Sequence, residues 1–160
     1  MKILIAGIGN KLRCDDGFGP KVIEELAKLQ LPSEVDIVDY GTSAFKVLFD
    51  LENYDLVIFV DAIDKGEKPG EIFVIKPYLN KGKEEVLKIS LHEVELEKLL
   101  KIAKELKVLP SEVVIVGCQP KILSSGLKMS IEVTEAVKKT VEIILNILKE
   151  KLKNKLIWRD

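Results

Sequence analysis

The sequence predicts a single α/β domain of three layers (α/β/α), in which a mostly parallel, twisted sheet of about five strands has helices on both faces. The first observation behind this prediction is that apolar runs of strand length alternate with segments of helical periodicity. Parallel neighbours in a sheet need crossover connections, which such helices supply. The second observation is size, because 160 residues, 47% of them hydrophobic, can bury one sizeable core but not two. We therefore expect residues 1–160 to form one domain.

The first part of the chain alternates strands with helices. The run KILIAG at residues 2–7 is typical of a strand that is covered on both faces. Gly19-Pro20 is expected to open a helix that runs through about Gln30, with Pro20 at its first position, where the missing N–H costs nothing. The run EVDIVDYG predicts a second strand, and residues 43–51 are expected to form a short helix.

Strand signals dominate the middle of the chain. The run YDLVIFVDA, which ends at Ala62, is the most strongly β-prone, and GEIFVIKP from Gly70 predicts a further strand. Because the intervening DKGEKPG is short and rich in turn residues, we expect these two strands to be antiparallel neighbours. Ser90 and Glu93 match a capping box, which predicts that an amphipathic helix begins there.

The last part of the chain reads as a strand followed by a long helix. The run SEVVIVGCQP predicts a strand that Pro120 stops. From Ser130 onward apolar residues recur at helical spacing, which predicts one long terminal helix. We expect its lysine-rich end to fray after about residue 152.

Charge and hydropathy exclude several classes of protein. The chain has 25 lysines and arginines against 26 aspartates and glutamates, a formal net charge of -1, and no long run of one sign. We therefore expect neither nucleic acid nor an anionic membrane as a partner. The sequence shows no signal peptide and no apolar segment of membrane-spanning length, so a cytoplasmic protein is expected. We also expect a monomer, because no apolar helix face is left over once the core is assigned.

The two cysteines, Cys14 and Cys118, are far apart in the sequence. Such a pair is typical of reduced thiols in a cytosolic protein and not of a disulfide framework. Both fall near predicted strand ends, where Cys14 could approach a site, but we favour simple buried thiols for both.

The carboxyl ends of the predicted strands carry polar and acidic residues. Ligands of open parallel sheets bind outside these ends. The residues expected there are Asn10 to Asp16, Tyr40 to Thr42, Asp61, and Gly117 to Gln119. The candidate functional residues should therefore meet at one edge of the sheet.

The glycine-rich stretch after the first strand does not fit a phosphate site. Its sequence GIGNKLRCDDGFG places Leu12 where a dinucleotide fingerprint needs a third glycine. Asp15 and Asp16 would also repel a pyrophosphate at the start of the following helix. No Gly-Lys-Ser or Gly-Lys-Thr of a Walker motif occurs, so we expect no nucleotide cofactor.

A divalent transition metal fits the same residues better, because carboxylates and an imidazole are suitable ligands. The candidates are Asp15, Asp16, Asp61 and His92, the sole histidine. Each has a structural alternative. Asp61 could cap the next segment and His92 could donate to a neighbour at a helix start, while the adjacent aspartates suit a helix N-terminus.

Five ordered segments resemble those of a known family. They are GIGNKLRCDDGFG at 7–19, DYGTSAFKVL at 39–48, VDA at 60–62, SLHEVEL at 90–96 and VGCQP at 116–120. The first is similar to the signature G-x-G-N-x-L-x-x-D-[DE]-G-x-G of the hydrogenase maturation endopeptidases. These enzymes trim the C-terminus of the large subunit of nickel-iron hydrogenases. The resemblance covers nearly the whole chain.

This resemblance implies that Asp16, Asp61 and His92 are the metal-binding and catalytic residues, with Asp16 at a position where the family has Glu or Asp. It implies a nickel-iron hydrogenase large-subunit precursor as partner, cut just beyond its metal-binding C-terminal motif. The nickel would then be supplied by the substrate. The polar groups expected around the substrate tail, each with a turn or strand-end role as its alternative, are Asn10, Asp15, Gly41, Thr42 and Gln119.

These residue types allow two routes of peptide hydrolysis. In one, the metal polarises the peptide carbonyl or lowers the pKa of a bound water, and Asp16 or Asp15 is the general base. In the other, the acidic residues activate water as in aspartic proteases, and the metal only marks the substrate. Two further hypotheses remain: a module that binds a metal-loaded partner without cutting it and, with less support, a nucleotide-dependent enzyme.

Overall fold

A computed structural model of the protein describes residues 1–77 and 93–153. The strands within these residues are β1 (Ile3–Ile8), β2 (Val35–Gly41), β3 (Leu56–Ala62), β4 (Ile72–Ile75) and β5 (Glu112–Cys118). They form one sheet in the order β2-β1-β3-β5-β4. The pairs β1–β2, β1–β3 and β3–β5 are parallel, and β4 is antiparallel to β5. The predicted mostly parallel sheet is confirmed.

Helices cover both faces of this sheet. The α-helices of the described residues are α1 (Phe18–Ala27), α2 (Glu93–Glu105) and α3 (Ile131–Lys151), and their 3-10 turns are Cys14–Gly17, Ala44–Phe49 and Leu51–Asn53. One core cluster joins α1 and α3 to the sheet through residues such as Ile5 and Val116. A second joins α2 and the 3-10 turns of residues 44–53 to the opposite face through Leu4 and Phe59. The three-layer prediction is therefore confirmed.

Strand β4 does not pair with β3, so the prediction that these two strands are neighbours is wrong. Both edges of β3 are already occupied, by β1 on one side and β5 on the other. The chain crosses over the end of β5 instead, and Ile72 pairs with Cys118 to place β4 at the edge of the sheet. The antiparallel direction is confirmed, but its partner is β5.

Helix α1 begins at Phe18 and ends at Ala27, so it starts earlier and ends sooner than predicted. Pro20 is its third residue and not its first. This position is tolerated because the N–H groups of the first helical turn have no acceptor within the helix. The segment predicted as a short helix after β2 forms two 3-10 turns instead.

Helix α3 agrees with its prediction. The Ser130 side chain caps its start by accepting a hydrogen bond from the Val133 N–H, and the helix ends at Lys151. The predicted capping box at Ser90 and the tail beyond Lys153 lie outside the described residues. Across residues 1–77 and 93–153, no helix combines the length and the apolar composition needed to span a membrane.

Candidate active site at the carboxyl edge of the sheet

The amino end of α1 packs directly against the carboxyl ends of β1 and β3. A Cβ on Gly19 would lie 2.3 Å from the carbonyl oxygen of Ile8 and 2.4 Å from that of Val60, so a side chain does not fit there. This approach brings the turn that carries Asp16, immediately before α1, to the end of β3, where Asp61 lies. The two predicted carboxylates are therefore on neighbouring elements at the same edge of the sheet.

The first loop, residues 9–17, is packed against itself. Gly9 has a φ of 142°, and a Cβ there would lie 1.9 Å from the Asp16 carbonyl oxygen. The Gly9 N–H donates to the Gly41 carbonyl at 2.9 Å, which ties this loop to the end of β2. The glycines thus allow close backbone contacts, and the space that a phosphate would need beside Gly9 is filled by protein. This packing opposes the nucleotide hypothesis.

The Asp16 side chain is half-buried. Its Oδ2 accepts a hydrogen bond from the Asn10 N–H at 3.0 Å, and the Asn10 Oδ1 accepts one from the Leu12 N–H at 2.9 Å. Its Oδ1 accepts no hydrogen bond from any residue of 1–77 or 93–153. One carboxylate oxygen thus orients the side chain, and the other can take a ligand.

Asp15, the residue before Asp16, is in the opposite environment, because its side chain is fully buried. Its Oδ2 accepts from the Lys121 N–H at 2.8 Å, the Ile122 N–H at 2.9 Å and the Ser130 hydroxyl at 2.9 Å. Its Oδ1 accepts from the Ser130 N–H at 2.7 Å, at the start of α3, where the helix dipole favours a negative charge. These four donors compensate for the lost hydration of the carboxylate. Asp15 therefore joins the first loop to residues 120–130.

Asp61 is buried near the end of β3, where it pairs with Gly117 of β5. Because side chains alternate along a strand, Asp61 shares a face with Val57 and Phe59, the face that α2 covers. A Cβ on Gly117 would lie 2.4 Å from the Ile63 Cδ1, so the neighbouring strand adds no side chain beside Asp61. Asp61 is therefore the carboxylate that β3 contributes to the candidate site.

The predicted metal-binding set is only partly described. His92 lies outside the described residues, immediately before Glu93, the first described residue of α2. Among the residues that are described, no group of three or more histidine, cysteine, aspartate or glutamate side chains could hold a metal ion. The set of Asp16, Asp61 and His92 therefore stays a prediction.

Gln119 is buried and organises the β3–β4 connection, residues 63–71. Its Oε1 accepts from the Lys65 N–H at 2.7 Å and the Glu67 N–H at 3.2 Å, and its Nε2 donates to the Asp64 carboxylate at 3.0 Å. In addition, the Gly70 N–H donates a backbone hydrogen bond to the Gln119 carbonyl at 2.8 Å. All these partners belong to the protein, so Gln119 has a strand-end role in this structure.

The end of β2 contributes Gly41 and Thr42. Gly41 has a φ of 56°, and its N–H is bound by the Asp39 carboxylate at 2.8 Å. Thr42 is exposed beside it. Lys11 of the first loop forms an ion pair with Asp39 at 3.4 Å, so β2 and the first loop are joined by charge as well as by backbone. Both predicted residues lie at the carboxyl edge, on the β2 side of the first loop.

Both cysteines are buried free thiols, as predicted. Burial, with a smaller contribution from the nearby Asp15 carboxylate, raises the pKa of the Cys118 thiol to about 12. Cys14 has a φ of 48°, and its N–H donates to the Gly126 carbonyl at 2.8 Å. The Cys118 thiol is thus protonated at neutral pH and poorly suited to nucleophilic chemistry.

Residues 120–130 form the part of this edge that the sequence did not indicate. They connect β5 to α3 and bind the first loop through the Asp15 carboxylate and the backbone. Asp15 and Ser130 are 115 positions apart, and a lone serine before a helical pattern indicates only a helix cap. No local pattern could therefore have shown that this serine binds Asp15.

Known proteins match this chain along most of its length. A family model described as hydrogenase maturation protease matches residues 20–147. A relative from Methanocaldococcus jannaschii, provisionally named as such a protease, is 39% identical over 157 residues, which cover 92% of this chain and 97% of the relative.

Solved structures of hydrogenase maturation peptidases share the fold. The crystal structure of the hydrogenase 2 maturation peptidase from a Thaumarchaeota archaeon matches with a TM-score of 0.72 and 37% identity, and covers 92% of this chain and 98% of that one. The hydrogenase maturating endopeptidase HybD from Escherichia coli matches with a TM-score of 0.81 and 30% identity, covering 94% of each chain. With the family model matching most of its residues, the chain belongs to the hydrogenase maturation protease family, as its motifs predict.

Proposed function

We propose that this protein is an endopeptidase that removes the C-terminal extension of a nickel-loaded hydrogenase large-subunit precursor. Membership of the hydrogenase maturation protease family supports a peptidase role in hydrogenase maturation. The observation that carries the proposal is the presence of Asp16 and Asp61 on neighbouring elements at the carboxyl edge of the sheet, where open α/β sheets bind ligands.

Asp16, Asp61 and His92 are proposed to complete the coordination of the nickel that the substrate carries. Carboxylate and imidazole groups suit a divalent transition metal. The first loop supports this role, because Asn10 holds only the Oδ2 of Asp16, at 3.0 Å, so that a metal can be bound without breaking the loop. A substrate held by its own metal presents the adjoining peptide bond in a fixed position, which lowers the entropic part of the barrier to hydrolysis.

The chemical step is the addition of water to the peptide carbonyl carbon. The carbon–nitrogen bond then breaks, and the proton released by the water passes to the departing nitrogen. Asp16 can accept that proton as a general base through the oxygen that Asn10 does not hold. Nickel can assist by polarising the carbonyl or can act only in recognition. Replacing the precursor's nickel by zinc tests the first role: an altered cleavage rate with equal affinity indicates that the metal polarises the carbonyl.

The proposal is tested by incubating the purified protein with the purified nickel-loaded precursor and measuring the mass of both. We expect the wild-type protein to shorten the precursor by one C-terminal peptide. Asp16→Asn, Asp61→Asn and His92→Ala should fold and leave the precursor at full length.

The matched control is Asp36→Asn, which removes an exposed carboxylate of β2 that accepts the Tyr54 hydroxyl at 2.7 Å. It lies outside the candidate site, so cleavage should continue at the wild-type rate. Undiminished cleavage by the Asp16 and Asp61 variants would overturn the assignment of the site. A stable complex that never yields a shortened precursor would instead support the non-cleaving binding module.

A further inference from the structure

Three large aliphatic side chains beside the candidate site are exposed to solvent. Leu12 is 64% exposed, Ile122 39% and Leu127 80%. We call these three residues the aliphatic patch. Leu12 belongs to the first loop, and the other two belong to residues 120–130. Exposed aliphatic side chains are costly to hydrate, and a local group of them is typical of an interaction surface.

The two segments that carry the aliphatic patch are fastened together. The Gly126 N–H donates to the Leu12 carbonyl at 2.8 Å, and the Asp15 N–H donates to the Ile122 carbonyl at 2.9 Å. The Asp15 carboxylate in turn binds the Ile122 N–H at 2.9 Å. The backbone beneath the patch is therefore ordered before any partner arrives, so little conformational entropy is lost when it is covered.

The aliphatic patch is continuous with the candidate site. The Asn10 side chain binds the Leu12 N–H at 2.9 Å, and the Asn10 N–H binds the Asp16 carboxylate at 3.0 Å. One residue thus connects the patch to the predicted metal ligand. Leu12 and Asp16 therefore belong to one hydrogen-bonded loop.

The charges at the rim indicate what kind of partner fits. Arg13 and Lys128 are the chain neighbours of Leu12 and Leu127, and neither forms an ion pair with a residue of 1–77 or 93–153. Two copies related by a two-fold axis through the patch would bring these cations together, which is unfavourable. An apolar partner segment with acidic neighbours meets no such repulsion.

We propose that the aliphatic patch docks an apolar segment of the protein substrate, flanked by acidic groups, at a position separate from the peptide bond that is cut. The inference rests on the proposed function, since it takes the protein substrate from there. It assigns Leu12, Ile122 and Leu127 to affinity for the substrate and not to the chemical step.

The test compares the double variant Leu12→Ser/Leu127→Ser with Leu106→Ser. Leu106 is 59% exposed in the turn between α2 and the amino end of β5. Its substitution is therefore a control for the loss of an exposed leucine outside the patch. Binding of the nickel-loaded precursor is measured in an Asp61→Asn background, and cleavage in the parent protein. We expect the double variant to bind about tenfold or more weakly, because two leucines lose their buried area, while kcat at saturating precursor is unchanged.

Leu106→Ser should bind the precursor as tightly as the protein without that substitution. Substitution of Arg13 and Lys128 by Gln should reduce the salt dependence of precursor binding. Equal affinity of the double variant and Leu106→Ser would overturn the inference, even if the parent protein cleaves its precursor as proposed. Sedimentation that shows a dimer of the parent protein, dissociated by the double substitution, would also overturn it by assigning the patch to self-association. Failure of the parent protein to cleave a precursor that it binds would count against the proposed function alone.

Discussion

The first loop and the β3–β4 connection both lie at the carboxyl edge, and each is held by one buried side chain. Asp15 holds the first loop to residues 120–130 with a carboxylate that is fully buried, and Gln119 holds the connection with a neutral amide. A buried charge depends on its donors far more than a buried amide does. The first loop, which carries Asp16, is held by Asp15. Loss of the Asp15 hydrogen bonds should therefore lower the free energy of unfolding more than loss of the Gln119 hydrogen bonds.

The largest effect is expected from Asp15→Ala. The substitution leaves the Ser130 N–H and hydroxyl buried without their acceptor and frees residues 120–130 from the first loop. We expect the free energy of unfolding to fall by about 4 kcal/mol, measured by urea denaturation. Asp16→Ala, the neighbouring control, removes a half-buried carboxylate with one hydrogen bond and should cost about 1 kcal/mol. Equal losses for the two variants would contradict the division of roles between them.

Gly9→Ala should have the next largest effect. An added Cβ would meet the Asp16 carbonyl oxygen at 1.9 Å, and the φ of 142° is unfavourable for alanine, so we expect a loss of about 3 kcal/mol. The matched control in the other segment is Gly66→Ala, where φ is 70° but nothing lies within 4 Å, and about 1 kcal/mol is expected. Thermal unfolding measures both. A Gly66 variant as unstable as the Gly9 variant would show that the contact of the added Cβ with the Asp16 carbonyl oxygen is not the cause.

Gln119→Ala should have a smaller effect than Asp15→Ala. The side-chain oxygen of Gln119 accepts hydrogen bonds from the Lys65 and Glu67 N–H groups. Both of these residues are exposed, so water can replace the lost bonds. We expect a loss of about 1 kcal/mol and faster hydrogen exchange of those two amides. Unchanged exchange there would contradict the role given to Gln119.

The smallest effect concerns Cys118. Its pKa is raised from 9.0 to about 12, so the folded protein should not be alkylated by iodoacetamide at Cys118 at pH 9, whereas the protein unfolded in guanidinium should react. The stability that this protonated thiol contributes is fully present below pH 9 and is lost as the pH rises toward 12. Mass spectrometry of the alkylated peptides measures the difference, and rapid labelling of the folded protein would contradict it.

The local elements could be predicted from the sequence because each is determined by a short pattern. The apolar runs of β1, β3 and β5 predict strands, and the periodicity after Ser130 predicts α3. The partner of β4 could not be predicted, because it depends on which strand edge remains open after β5 has paired with β3. A short turn-rich connection predicts the direction of the following strand better than it predicts which strand that strand will pair with.

The candidate site was predictable in location but not in the division of roles between adjacent residues. Strand ends indicate where Asp16 and Asp61 lie, since ligands bind at that edge of an open sheet. Asp15 and Asp16 look alike in the sequence, and only the packing of residues 120–130 buries one and leaves the other half-exposed. The aliphatic patch depends on the same packing, so no local pattern predicts it.

The most direct test of the proposed function compares the wild-type protein on nickel-loaded and on nickel-free precursor, with the mass of the precursor as the readout. We predict that only the nickel-loaded precursor loses its C-terminal peptide, because Asp16, Asp61 and His92 bind the substrate through its metal. Cleavage of both forms at the same rate would contradict binding of the substrate through its nickel, and a full-length nickel-loaded precursor after prolonged incubation would contradict the peptidase role.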